Sequence, residues 1–293
     1  MRLVSFGRPI LDVTIKFQPL ESYISIGGVE TNIAINTALL GKESILFGAV
    51  GSDVLYEKLE NLAHHVNKLH PGLQKIENKE SATIVLLIDN NNEIYRKFVD
   101  YGASEYFRIT SEIQKQIIEG EIFFTSLFSA NTPRLRARWG KMIQLAKTAS
   151  LKIAVSMAGV GTIKTNELPS LFKLIKYSAD FIFMDRQEAE KIDPDIFPSS
   201  IVVITDEEKP AIAKFGKKKW SVSPAGIFST HQLYTIGAGD AFAAAFLVSY
   251  WQNRDIEKAI RYGHQIAALK LAVPTSHLPP EILEEEGNYD IHG

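Results

Sequence analysis

The chain has 293 residues, 45% hydrophobic and 23% charged, with a formal net charge of -2 and no cysteine. That length and apolar content provide for a substantial core. The missing cysteines exclude disulfide frameworks, thiolate metal sites and cysteine nucleophiles, the balanced charge gives no pull toward nucleic acid, and no stretch approaches the ~20 apolar residues of a membrane span.

Met1 to Val13 holds a short apolar run broken by Gly7-Arg8-Pro9 and then Asp12, without the long apolar region of a signal peptide, so a cytoplasmic location is expected. From there short apolar runs alternate with longer helical patterns. Leu3 to Phe6 is followed by Glu30 to Leu40, Ile45 to Val50 by Val54 to Val66, and Ile122 to Ser126 by Pro133 to Ala149. Ile153 to Ser156, Glu167 to Tyr177, Phe181 to Met184, Gln187 to Ile192 and Ile201 to Thr205 continue the alternation. This predicts βαβ units and a mostly parallel sheet covered on both faces.

Two places depart from that pattern. Ala82 to Ile88 and Ile94 to Val99 flank a polar turn and read as a hairpin, and Thr14 to Phe17 and Tyr23 to Ile26 are short strand-like runs around Pro19. These strands form either a small separate sheet covering a site or ordinary edges of the main sheet; the alternation is compatible with both. Lys217-Lys218-Lys219 reads as a solvated hairpin turn. The seven histidines show no metal-ligand spacing. Ala238 to Tyr250 and Ile256 to Val273 are the last helical patterns, the second ended by Pro274.

The most informative segment is Thr235-Ile236-Gly237-Ala238-Gly239-Asp240, which leads directly into an apolar helix. Two glycines permit a tight turn that aims amide N–H groups outward at a helix start, where an anion is favoured. A carboxylate beside such a cradle suits a general base that takes a proton from an attacking hydroxyl. The same residues equally make a glycine-assisted turn capped by Asp240. Gly27-Gly28 before a second helix permits close approach of a ligand, and Asn32 offers both a donor and acceptors to a polyhydroxylated molecule. Asp12 follows the first strand and is expected at the carboxyl edge of the sheet, where such folds bind ligands.

Gly27-Gly28 to Asn32, with Gly41, Gly48, Val50-Gly51 and Asp53, resembles the first signature of the ribokinase (PfkB) carbohydrate kinase family, and Thr235 to Asp240 resembles its second. The opening Gly7 to Asp12 is similar to that family's first strand and substrate-binding aspartate, so the resemblance covers nearly the whole chain. It implies a ribokinase-like three-layer α/β/α sandwich formed by residues 1–293 as a single domain, with a small β lid from about 13–27 and 82–100. It also implies phosphoryl transfer from ATP, with Mg2+, to a hydroxyl of a sugar, sugar acid or nucleoside. Asp240 would be the base, and the amides of Gly237, Ala238 and Gly239 would hold phosphate charge. Asp12, Gly27, Gly28 and Asn32 would grip the acceptor. Thr205, Thr235, Gly237 and Gly239 would meet the nucleotide, and Asp185 and Glu188, placed at the family's NxxE motif, would organise the metal. Arg96, on the predicted lid hairpin, is a candidate contact for an acidic sugar.

Four features depart from the pattern. Tyr234 stands where an aspartate is usual, and Asp185 replaces the asparagine of NxxE. Thr205-Asp206-Glu207-Glu208-Lys209-Pro210 lacks both glycines of TxGxxG, and the short stretch between Asp12 and Gly27 predicts a reduced half-lid. An inward Glu207 would repel a triphosphate, whereas an outward one would be harmless. Two rivals follow: a degenerate kinase fold that binds small molecules without phosphotransfer, and a nucleotide-cofactor oxidoreductase, disfavoured because no GxGxxG follows the first strand. Exposed lid edges raise a homodimer as a hypothesis.

Overall fold

The computed structural model describes residues 1–17, 20–89, 94–224 and 234–278, with the side chains of 94–96 outside that description. Its strands are β1 (Arg2–Phe6), β2 (Ile10–Phe17), β3 (Leu20–Gly27), β4 (Glu43–Gly51), β5 (Leu69–Ile76), β6 (Ala82–Ile88), β7 (Ile94–Asp100), β8 (Ile122–Ser126), β9 (Lys152–Ser156), β10 (Phe181–Asp185), β11 (Ile201–Thr205), β12 (Ala211–Phe215) and β13 (Lys218–Val222). The α-helices are α1 (Val29–Leu39), α2 (Val54–His65), α3 (Ser111–Ile118), α4 (Pro133–Thr148), α5 (Leu168–Lys176), α6 (Arg186–Lys191), α7 (Ala238–Asn253) and α8 (Ile256–Leu271).

A nine-stranded sheet runs in the order β13-β12-β11-β10-β9-β8-β1-β4-β5. It is parallel from β11 to β5, with β12 and β13 added antiparallel. Its central strands are apolar on both faces, as in the wholly buried run Ile122–Ser126, because helices cover both sides. Trp139, Met142 and Ile143 of α4 and Ile175 of α5 pack with Val4, Phe123 and Ile182 on one face. Phe242 and Phe246 of α7 and Ile260 of α8 pack with Leu3, Phe124 and Phe183 on the other. Helix α7 is buried from Ala241 to Ser249, which explains its all-round apolar sequence. No described helix is long and apolar enough to cross a membrane.

The four ambiguous strands form a sheet of their own, ordered β3-β2-β6-β7, and not edges of the main sheet. This is the ribokinase-like architecture expected from the resemblance. The expected reduced half-lid is not found. β2 and β3 pair along the whole of Ile10–Phe17 and Leu20–Gly27, because the alternation of polar and apolar residues continues on both sides of the runs read as strands. Asp12 accordingly lies inside β2 and not at the carboxyl edge of the main sheet. The edge strand β5 was hidden by Pro71 and Gly72, which read as breakers; an edge position tolerates proline. In the lysine run, Gly216-Lys217 makes the turn while Lys218 and Lys219 already pair in β13.

Candidate active site

The parallel strands end together. Ser126, Ser156, Asp185 and Thr205 are the last residues of β8, β9, β10 and β11, with Ser126 opposite Ser156 and Asp185 opposite Thr205. Above this carboxyl edge α7 begins. Gly237 takes the left-handed conformation, φ 84°, that stops the preceding turn, and a Cβ there would sit 1.8 Å from the Ser276 carbonyl oxygen. Only glycine fits. A Cβ on Gly239 would meet nothing within 4 Å, so that backbone faces open space. The amides of the first turn have no intrahelical acceptor by position and carry the positive end of the helix dipole.

That open space is a cleft of about 120 Å3 whose lining includes Ser156, Asp185, Glu188, Thr205, Gly239 and Asp240. The structure therefore brings the two predicted metal residues, Thr205 and the Gly239-Asp240 pair to one place. Thr235, exposed, lies just before the turn, where its carbonyl accepts from the Ala238 amide at 3.2 Å.

Asn32, on the second turn of the buried helix α1, donates from Nδ2 to Asp240 Oδ2 at 2.8 Å. Its Oδ1 is buried with no partner among the described residues, so an acceptor hydroxyl remains its natural complement. Burial pushes the Asp240 carboxyl up to about 7; the Asn32 hydrogen bond pulls the other way, while the charges of Glu30 and Asp12 add to the rise. Asp12 is pushed up to about 6, again by burial first, and the Ser276 hydroxyl partly offsets this by donating to its Oδ2 at 3.1 Å. A Cβ on Gly27 would lie 1.7 Å from that same oxygen, and one on Gly28, at φ 100°, would lie 2.2 Å from the Arg8 carbonyl oxygen. The paired glycines thus admit a carboxylate and a neighbouring backbone, a closer duty than ligand contact alone.

Asp185 caps α6: its Oδ1 accepts from the Glu188 amide at 2.7 Å while Glu188 Oε2 accepts from the Asp185 amide at 3.0 Å. Burial pushes Glu188 up to about 7. A partly exposed carboxylate facing a phosphate-sized cleft fits Mg2+, which takes one or two protein carboxylates and completes its shell with phosphates and water. Among the described residues there is no denser cluster of metal-ligating side chains.

Glu30 and Lys270 escaped the sequence, and Asp53 is marked there only as part of the first signature. Glu30 is 1% exposed, and its Oε1 accepts from the Ser126 amide and the Ser126 and Ser129 hydroxyls, which locks α1 to the end of β8. Lys270 is wholly buried in α8, and its ammonium donates to the Tyr234 and Val273 carbonyls at 3.0 and 3.1 Å, bracing both chains that flank the α7 start. Tyr234 therefore serves here through its backbone, which lessens the weight of its departure from the usual aspartate. Asp53 of the first signature caps α2 and binds the Ser81 hydroxyl at 2.7 Å, tying α2 to the start of β6. A signal existed only for Glu30 and Asp53, polar residues at helix starts. Arg96 lies in β7, but its side chain falls outside the described residues. Glu207 is exposed and does not line the cleft.

A family model described as pfkB family carbohydrate kinase matches residues 20–281. A 5-dehydro-2-deoxygluconokinase of Listeria monocytogenes is 23% identical over 94% of this chain and 91% of its own length. A probable fructokinase-5 of Arabidopsis thaliana is 25% identical over 87% of this chain and 84% of its own. Among solved structures, adenosine kinase from Sinorhizobium meliloti superposes with a TM-score of 0.83 at 16% identity, covering 99% of both chains. Fructokinase with bound ATP from Xylella fastidiosa gives 0.83 at 16% identity over 98% of both.

Proposed function

As the chain belongs to the pfkB family of carbohydrate kinases, we propose that it transfers the γ-phosphoryl group of ATP to a hydroxyl of a sugar, sugar acid or nucleoside, with Asp240 as the base. The observation that carries this reading is the placement of Asp240. Its carboxylate sits at the first turn of α7, is oriented by Asn32, and faces the cleft shared by Gly239, Thr205 and Glu188. A carboxyl pushed up to about 7 is matched to accepting a proton near neutrality.

In this reading Asp12 and Asn32 orient the acceptor so that its hydroxyl points at Asp240. The Gly239 and Asp240 amides in the first turn of α7, with Gly237 fixing their direction, hold the charge that develops on the transferred group, while the Ala238 amide is taken by the Thr235 carbonyl. Asp185 and Glu188 would hold Mg2+, which neutralises phosphate charge when bound. Thr205 and Thr235 flank the nucleotide. The four-stranded sheet closes over the acceptor as a lid and excludes water, which otherwise would accept the phosphoryl group. Its outer surface carries exposed Leu20, Ile24 and Phe98, which supports pairing of two copies through the lid strands. Sedimentation equilibrium showing only monomer at working concentration would rule that pairing out.

The test is ADP production by wild type and Asp240→Asn, with and without Mg2+, across pentoses, hexoses, sugar acids and nucleosides. Acceptor-dependent turnover that falls by ~10²-fold or more in the variant, with acceptor binding retained, is expected. Binding of an acceptor without turnover for any donor would instead establish the degenerate binding protein.

A further inference from the structure

Arg8 lies in the turn from β1 to β2, the crossing point from the large sheet to the small one, and is 1% exposed. None of its Nε, Nη1 and Nη2 atoms has a hydrogen-bond partner among the described residues. Its guanidinium stacks over the rings of Tyr101 and Phe128, at 4.8 and 5.4 Å from their centroids. Stacking occupies the faces of the group and leaves its edge of N–H donors to be satisfied by something else.

Glu30 and Glu105 partly offset its charge through space, but neither hydrogen-bonds its edge; Glu30 Oε1 accepts from Ser126 and Ser129 instead. A second cation lies alongside: Lys97 of β7 places its ammonium 5.1 Å from the same Phe128 ring. Burial lowers its pKa, Arg8 lowers it further, and Asp12 opposes both. The buried Asn131 Oδ1 also has no partner among the described residues, while its Nδ2 donates to the Tyr101 hydroxyl at 3.1 Å. All of this adjoins the acceptor end of the site, since Gly28 packs on the Arg8 carbonyl and Gly27 on the Asp12 carboxylate.

A buried guanidinium whose side-chain donors have no hydrogen-bond partner among the described residues, next to a second cation, is costly, and an anionic acceptor seated on its edge would relieve that cost. The planar fork of Arg8, with its edge donors unpaired among the described residues, matches a carboxylate held bidentately. We infer that Arg8, supported by Lys97, binds a carboxylate group of the acceptor, so that the substrate is a sugar acid and not a neutral sugar or a nucleoside. This rests on the kinase reading and narrows it; Arg8 selects the substrate and takes no part in the proton transfer.

The test combines calorimetric binding with turnover, on wild type, Arg8→Gln and Lys97→Gln, using D-gluconate, a keto-deoxy hexonate, D-fructose, a hexose phosphate and adenosine. The acids should bind most tightly and turn over at the lowest KM. Arg8→Gln should raise the KM for the better acid by ~10²-fold and Lys97→Gln by ~10-fold, in both cases more than for D-fructose. Preference of the wild type for D-fructose, adenosine or the hexose phosphate would overturn the inference, as would equal losses on acid and neutral acceptors. Should Arg8→Gln not fold, the wild-type preference and Lys97→Gln decide alone. Acid binding without any turnover would keep the carboxylate site and sink the kinase; neutral-sugar turnover indifferent to Arg8 would do the reverse.

Discussion

The wall beside Asp240, built by α1, the α7 start and Ser276, is held far more tightly than the turn from β11 to β12. On the wall, a Cβ at Gly27 or Gly237 would collide with Asp12 or the Ser276 backbone, Glu30 accepts from both serines that follow it in β8 and beyond, and Asp240 is fixed by Asn32. In the turn, Glu207 to Pro210 are exposed, and the nearest side-chain contact is an Asp206–Lys209 pair at 3.4 Å. Tyr234 departs from the family's motif on the tightly held side, but the larger loss, TxGxxG, falls in the turn. TxGxxG is lost in an exposed turn, whereas Gly27, Gly28 and Gly237 stand where a side chain has no room. In the proposed reading, the parts that act on the acceptor stand on this rigid wall, and the exposed turn lies on the donor side.

The comparison is broken most severely by loosening the wall. Gly237→Ala places a Cβ into a backbone oxygen at a positive φ, and should cost about 2–4 kcal/mol of stability, seen in urea melts, together with most of the turnover. A variant as stable as wild type would show that the α7 start can shift, and the wall would not be rigid.

A smaller effect sharpens the role of Asn32. If Asp240 must be ionised to act, kcat/KM rises with pH through about 7. The Asn32 hydrogen bond favours the ionised form, so Asn32→Ala should move that limb upward and lower kcat by ~10-fold, with the larger loss on the acid side. An unmoved limb would remove Asp240 from the proton transfer. Stability runs the other way: folding raises the Asp12 and Asp240 carboxyls, so the folded state holds protons that the unfolded chain releases. Stability therefore falls as pH rises from the ordinary carboxylate range through about 7, and Asp240→Asn should flatten that slope.

Most of the main sheet was legible because its strands are apolar on both faces and its helices are periodic. Asp240, Gly237 and the Gly27-Gly28 pair were legible because glycine next to a helix start marks a constrained backbone. What sequence could not supply was partnership between distant residues. Asn32 meeting Asp240, Ser276 meeting Asp12 and Lys270 bracing Tyr234 join positions far apart in the chain. Arg8 stood in plain view beside Asp12, but a side chain in a Gly-Arg-Pro turn reads as solvated, and only packing against Tyr101 and Phe128 reveals it as buried. The small sheet was ambiguous for a related reason: four short alternating strands state a pleat but not which sheet they join.

The smallest expected effect tests the loose side. Glu207 takes a φ of 49°, the left-handed region, at the position where TxGxxG carries a glycine, so the turn keeps the shape while having lost the residue that adopts it freely. Glu207→Gly relieves a strain of ~1 kcal/mol, but glycine costs the folded state roughly 0.5–1 kcal/mol in added freedom of the unfolded chain. These nearly cancel, so Tm should barely move. Any change in the KM for ATP then reports the side chain and not the fold. With Glu207 exposed, removal of its charge should lower that KM by only ~2-fold, and the difference should vanish as salt is raised. A drop of ~10-fold or more that persists in salt would mean that Glu207 turns inward when nucleotide binds, and that the donor side is as constrained as the wall.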